Sequence, residues 1–138
     1  MIGLIIASHG TLSEGLINAM EMIIGKQELL LSLVLEEGVS PEILQNEFNK
    51  AIEKIDEGDG VLILLDLFGG TPSNVAGRMA YDNDNLELVT GINLPMLLEV
   101  TLQRNTKKLA ELKTIALESG HKGIQDVKKW IKERLSNQ

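Results

Sequence analysis

The sequence predicts an α/β protein: an open parallel β-sheet of four strands with helices on both faces. Short apolar runs of strand length recur along the chain, and each is followed by capping residues and an apolar stripe at helical spacing. Strands that alternate with helices pair in parallel, because each crossover helix packs back onto the sheet. In addition, the histidine, the glycine pairs and one lone aspartate fall just after the apolar runs. In open parallel sheets that is where ligands bind, outside the carboxyl ends of strands, at the point where successive crossovers leave on opposite sides.

Each element has its own local cause. Met1 to Ala7 is a short apolar run bounded by Gly10, as expected of a strand buried on both faces. Thr11 and Glu14 then form a T-x-x-E capping-box pattern, Leu12, Leu16, Ile17, Met20, Ile23 and Ile24 follow one helix face, and Gly25 stops it. "ELLLSLVLEEG" reads as the second strand. Ser40 and Pro41 supply an N-cap and an N1 proline for a helix whose face is Ile43, Leu44, Phe48, Ala51, Ile52 and Ile55, closed by "DEGDG". "GVLILLDLF" is the most strand-like segment of the chain. Thr71 and Pro72 form another N-cap and N1 pair, for a helix to about Tyr81. After the turn "DNDN", "LELVTG" reads as a fourth strand. "NLPMLLEVTLQRN" starts a helix with Asn93 or Leu94 near the cap and Pro95 at N1, and a further helix runs from about Thr106 to Glu118, ending at Gly120. From Lys122 on, Ile124, Val127, Ile131 and Leu135 are helically spaced, with a short strand at "KGIQ" as the alternative. No repeat, low-complexity stretch or linker divides residues 1–138, so one domain is expected.

Composition narrows the function. A chain of 138 residues that is 43% hydrophobic can bury a core without staples. Cysteine is absent, which excludes disulfides, thiolate nucleophiles and cysteine-held metals, and two distant histidines make no metal centre, so neither metal nor cofactor is expected. A net charge of -7 disfavours nucleic acid, whose binding depends on Lys and Arg neutralising phosphates. "MIGLIIASHG" lacks a basic n-region, and "VLILLDLF" is too short to span a bilayer. The expectation is a soluble cytoplasmic protein.

The chemistry gathers at the strand ends. His9 lies at a strand-to-helix junction, followed by Gly10 and Thr11, where a ring can reach solvent while its backbone is held. Neutral imidazole attacks phosphorus well, so this histidine can carry a phosphoryl group; it can equally be a loop residue bonding a carbonyl. Asp66, ending "VLILL", needs solvent or a donor. If the first and third strands are neighbours, its carboxylate can take one ring N–H of His9, fix the tautomer and leave the other nitrogen free; otherwise it receives the amides of its own loop. In "GGTPSN", Gly69 and Gly70 let backbone approach a ligand, the helix start directs N–H groups forward, and Thr71 and Ser73 add hydroxyls. The G-x-x-x-x-G-K-[ST] loop is absent, so no nucleotide site is inferred. An Arg-His-Gly phosphatase or mutase is disfavoured, because Ser8 stands where that arginine would be and no second histidine lies at a strand end. His121 reads as a helix-end residue, Trp130 as a packing or interface residue, and the charges of "VKKWIKERL" as a solvated face.

"IIASHGTLSEGL", "LILLDLFGGTPSN" and "VTGINLPML", in this order and spacing, resemble the enzyme IIA domain of the mannose-type phosphoenolpyruvate-dependent sugar phosphotransferase system, over Met1 to about Gly123. The resemblance implies a sheet in order 2-1-3-4 and a homodimer with an additional antiparallel strand from the C-terminal part. It implies that His9 accepts a phosphoryl group from the phosphocarrier HPr and passes it to a histidine of enzyme IIB, with Asp66 orienting His9. Gly10, Thr11, Gly69, Gly70, Thr71 and Ser73 would surround the phosphoryl group, and "GINLPM" would shape the same rim. Phe68 stands where the family can carry Trp, which implies a contact surface tuned to one enzyme IIB. The implied partners are HPr, a separate enzyme IIB and, indirectly, the membrane subunits IIC and IID. The phosphodonor subunit of dihydroxyacetone kinase is similar in fold and histidine position and is the alternative.

Overall fold

The structure, a computed structural model, describes residues Met1–Ser136. The elements are β1 (Gly3–His9), α1 (Leu12–Ile24), β2 (Leu30–Leu35), α2 (Pro41–Ile55), β3 (Val61–Leu65), α3 (Gly70–Tyr81), β4 (Leu86–Thr90), α4 (Leu94–Gln103), α5 (Leu109–Lys122) and α6 (Val127–Ser136). All strand pairs are parallel and the order is β2-β1-β3-β4. The chain steps outward from β1 to β2, then returns past β1 to β3. The switch point is therefore the gap between the carboxyl ends of β1 and β3.

Alternation along the strands divides the core into two layers. Leu4, Ile6, Leu62 and Leu64 face α1, α4 and α5, meeting Met20, Met96, Leu97, Val100, Leu112 and Ala116. Ile5, Ala7, Val61, Ile63 and Leu65 face α2 and α3, meeting Leu44, Phe48, Ala51, Ile55 and Ala76. A strand covered on both faces is largely apolar, which is why β3, and β1 as far as Ala7, read as unbroken runs. No helix among the described residues is long and apolar enough to cross a membrane.

Four local expectations are corrected. The Thr11 side chain makes no cap hydrogen bond; instead the buried Ser8 hydroxyl accepts from the Ser13 N–H at 2.6 Å. α3 begins one residue before Thr71, with Gly69 as its cap residue and no side-chain cap bond. Two successive residues with φ of 100° and 80° turn the chain there, a backbone path that glycine takes without strain. Gly120 does not end α5, which continues to Lys122. A Cβ at Gly120 would lie 2.7 Å from Met96 Cε, the movable end of a side chain of α4. The "KGIQ" alternative fails: Lys122 ends α5 and Gly123 to Gln125 are a turn and coil leading to α6, and among the described residues the sheet has four strands, without the additional antiparallel one.

Asn93 caps α4 as expected, accepting from the Met96 N–H at 3.0 Å while its amide donates to the Gly120 carbonyl at 2.9 Å. Arg104, at the end of α4, is 1% exposed. Its guanidinium donates to the carbonyls of Ile2, Glu28 and Leu29, joining the start of β1 to the approach to β2. Burial pushes its pKa below the ordinary arginine value, and the nearby Glu28 opposes that shift.

Candidate active site at the β1–β3 switch point

His9 is the last residue of β1 and Asp66 follows β3 directly, so adjacency of the two strands brings them together across the switch point. The Asp66 N–H donates to the Ala7 carbonyl at 3.1 Å, which ties the start of the β3–α3 loop to β1. From there one carboxylate oxygen, Oδ2, serves His9 twice. It accepts from the His9 backbone N–H at 2.9 Å and lies 3.0 Å from ring Nδ1.

This geometry assigns the ring. A carboxylate only accepts, so in the neutral ring Nδ1 carries the proton and Nε2 keeps its lone pair. The His9 side chain is 53% exposed and that of Asp66 12%, so the base of the pair is sheltered while the ring reaches solvent. Two bonds to one oxygen fix both the backbone and the ring of His9. The other oxygen, Oδ1, is buried and has no hydrogen-bond partner.

In front of His9 lies a cleft of about 570 Å³, walled on one side by residues 35–39 and on the other by residues 67–72. Gly69, Gly70 and Thr71 are in that wall, at the amino end of α3, whose unbonded N–H groups and dipole favour negative charge. Gly10 and Thr11 form the exposed turn directly after His9. Ser73 is buried within α3 and does not line the cleft. "GINLPM" is not part of its wall either, since the Asn93 side chain is taken up between α4 and α5.

Three features escape sequence reading. Ser8 caps α1 across five positions, which matches no local capping pattern; the available signal was a lone hydroxyl in a doubly buried strand, which must find a partner. Leu67 and Phe68 read as the end of a strand, yet β3 stops at Leu65 and they stand 62% and 83% exposed. Glu36 and Glu37 read as the tail of β2 and instead stand in the cleft wall.

Fold and site together define a parallel α/β protein that holds a sheltered carboxylate–histidine pair at its switch point, with the histidine offered to an open cleft. The family described as "PTS system fructose IIA component" matches residues 3–117. The chain belongs to this family, the mannose-type enzyme IIA components of the phosphotransferase system. It is 34% identical over 128 residues to the PTS system mannose-specific EIIAB component of Escherichia coli (strain K12), spanning 92% of this chain and 40% of that protein's length. It is 35% identical over 112 residues to the PTS system fructose-specific EIIA component of Bacillus subtilis (strain 168), covering 81% of this chain and 77% of the relative. Among solved structures, the phosphotransferase system component EIIA from Streptococcus agalactiae superposes with a TM-score of 0.83 at 29% identity, covering 94% of this chain and 99% of that one.

Proposed function

We propose that the protein is a phosphocarrier: His9 accepts a phosphoryl group from HPr and passes it to a histidine of enzyme IIB. The observation that carries this reading is the 3.0 Å contact of His9 Nδ1 with Asp66 Oδ2, which leaves Nε2 as the nucleophile on the cleft side. In the step, the Nε2 lone pair forms the new N–P bond as the donor's N–P bond breaks, and that electron pair returns to the donor nitrogen. The Nδ1 proton stays in place, and Asp66 stabilises the positive charge the ring acquires. Gly69, Gly70 and Thr71 offer N–H groups and a hydroxyl from the α3 terminus to the phosphoryl oxygens, with Gly10 and Thr11 bordering them. Ser73, buried within the first turn of α3, supports that terminus from behind and does not line the cleft. Discharge to enzyme IIB reverses the same geometry, and the membrane subunits IIC and IID take part only beyond it.

The reading includes a cytoplasmic homodimer. Its support is α6, whose residues Val127, Trp130, Ile131 and Leu135 lie on one face, with none of the helix buried. A second copy would cover that face. The function is tested by incubating the protein with phosphoenolpyruvate, enzyme I and HPr and measuring acid-labile phosphate. Label on the wild type and none on His9→Ala is the expected result; equal label on both would refute the assignment.

A further inference from the structure

The reacting pair uses one oxygen of Asp66 and leaves the other unexplained. Asp66 Oδ1 is buried and accepts nothing, and Ser13 Oγ, in the first turn of α1, is likewise buried without a partner. Such orphans are rare, because a polar atom that gives up water and finds no hydrogen bond costs stability. Two of them behind one histidine call for a common cause.

Ser8 places them together. The β1–β3 register pairs Ala7 with Leu65, and the bond from the Asp66 N–H to the Ala7 carbonyl carries it one residue further. Ser8 and Asp66 are therefore neighbours across the two strands, and their side chains leave the sheet on the face of Ile6 and Leu64, under α1. Ser8 Oγ accepts from the Ser13 N–H at 2.6 Å, which brings the Ser13 hydroxyl to the same spot. Both serines are wholly buried. The cluster has two O–H groups to donate and one carboxylate oxygen to receive, yet its three oxygens make no hydrogen bond to one another. One water satisfies all of them: it accepts from a hydroxyl, donates to the carboxylate, and makes the number of contacts usual for a buried water. A calcium or magnesium ion takes about six oxygens, more than the cluster holds.

We infer that an ordered water is bound behind His9, bridging Ser13 Oγ and Asp66 Oδ1 beside Ser8 Oγ, and that Ser13 is thereby a positioning residue for the reaction. The hydrogen bond to Oδ1 fixes the rotation of the carboxylate, and with it the direction in which Oδ2 meets ring Nδ1. It also draws negative charge away from Oδ2, so the Nδ1 proton stays on the ring when phosphorylation makes the ring cationic. The water itself moves no proton. Its site stands on the hydrogen-bond geometry, while its part in transfer rests on the phosphocarrier reading.

A crystal structure of the full chain at a resolution that shows waters should place one within hydrogen-bond distance of both Ser13 Oγ and Asp66 Oδ1. No water there, or a direct bond between those two oxygens, would overturn the site. In Ser13→Ala, the transfer rate at saturating phospho-HPr should fall about threefold to tenfold, the worth of one hydrogen bond, with KM for phospho-HPr unchanged. The melting temperature should fall by about 4 °C. Without the water, loss of an orphan hydroxyl and gain of a better helix former act in the opposite direction. An unchanged or higher melting temperature would therefore overturn the bridge, and an unchanged rate would overturn its role in transfer. Wild-type His9 that takes no label from phospho-HPr would overturn the phosphocarrier reading and that role, and the crystal structure and the melt would still decide the water.

Discussion

At the scale of single residues, the proposed function rests on one oxygen. Asp66 Oδ2 holds both the His9 N–H and ring Nδ1, so Asp66→Asn replaces a double acceptor by a group that presents one acceptor and one donor. The ring then loses its fixed tautomer, and transfer to and from His9 should slow by at least about tenfold. The fold should persist, since the side chain makes no hydrogen bond or ion pair to any residue but His9 among the described residues and its Oδ1 is already unpartnered. Stopped-flow transfer rates together with a thermal melt check this; unchanged rates would remove Asp66 from the mechanism. Both residues were legible in the sequence, because a histidine and an aspartate that interrupt apolar runs at strand ends need a reason to be there. Glu36, Glu37 and Leu67 were not. Acidic and apolar residues flanking a strand core are compatible with a longer strand, and only the observed ends of β2 and β3 turn them into walls of a cleft.

At the scale of elements, the alternation of strands and helices was legible and the sheet order was implied by the family resemblance, whereas the ties between elements were not. Arg104 shows why. In sequence it is one basic residue at the end of a helix, and its acceptors on Ile2 and Leu29 lie 102 and 75 residues away. Removing the guanidinium takes a donor from three carbonyls next to the start of the central strand, of which Leu29 keeps the Leu4 N–H. Arg104→Met should therefore cost about 2–4 kcal/mol of stability and lower the melting temperature by roughly 10 °C, as read by calorimetry. A change within one degree would show that these carbonyls find other donors. The capping patterns divide in the same way. Ser40 and Asn93 cap through their own first turns and were readable, whereas the Ser8 cap of α1 depends on where β1 delivers its hydroxyl.

At the scale of the whole molecule, the body is acidic and α6 is not. Lys128, Lys129, Lys132 and Arg134 outweigh Glu133 in a chain of net charge -7, and Arg134 sits 4.5 Å over the Trp130 ring. An amphipathic basic helix beside an acidic body favours pairing between copies, by burial of its apolar face and by attraction of opposite charge. Sedimentation should give a dimer for the wild type and a monomer for Trp130→Glu with Ile131→Glu; a wild-type monomer at micromolar concentration would contradict it. The helical spacing of the tail was legible, while what covers it belongs to a partner surface that a single chain's sequence does not encode locally. The central claim concerns one atom, and the most direct measurement is the one-bond coupling between phosphorus and nitrogen in the nitrogen-15-labelled, phosphorylated protein. The account predicts that phosphorus couples to Nε2 of His9, with Nδ1 still protonated. Coupling to Nδ1, or to any other residue, would contradict it.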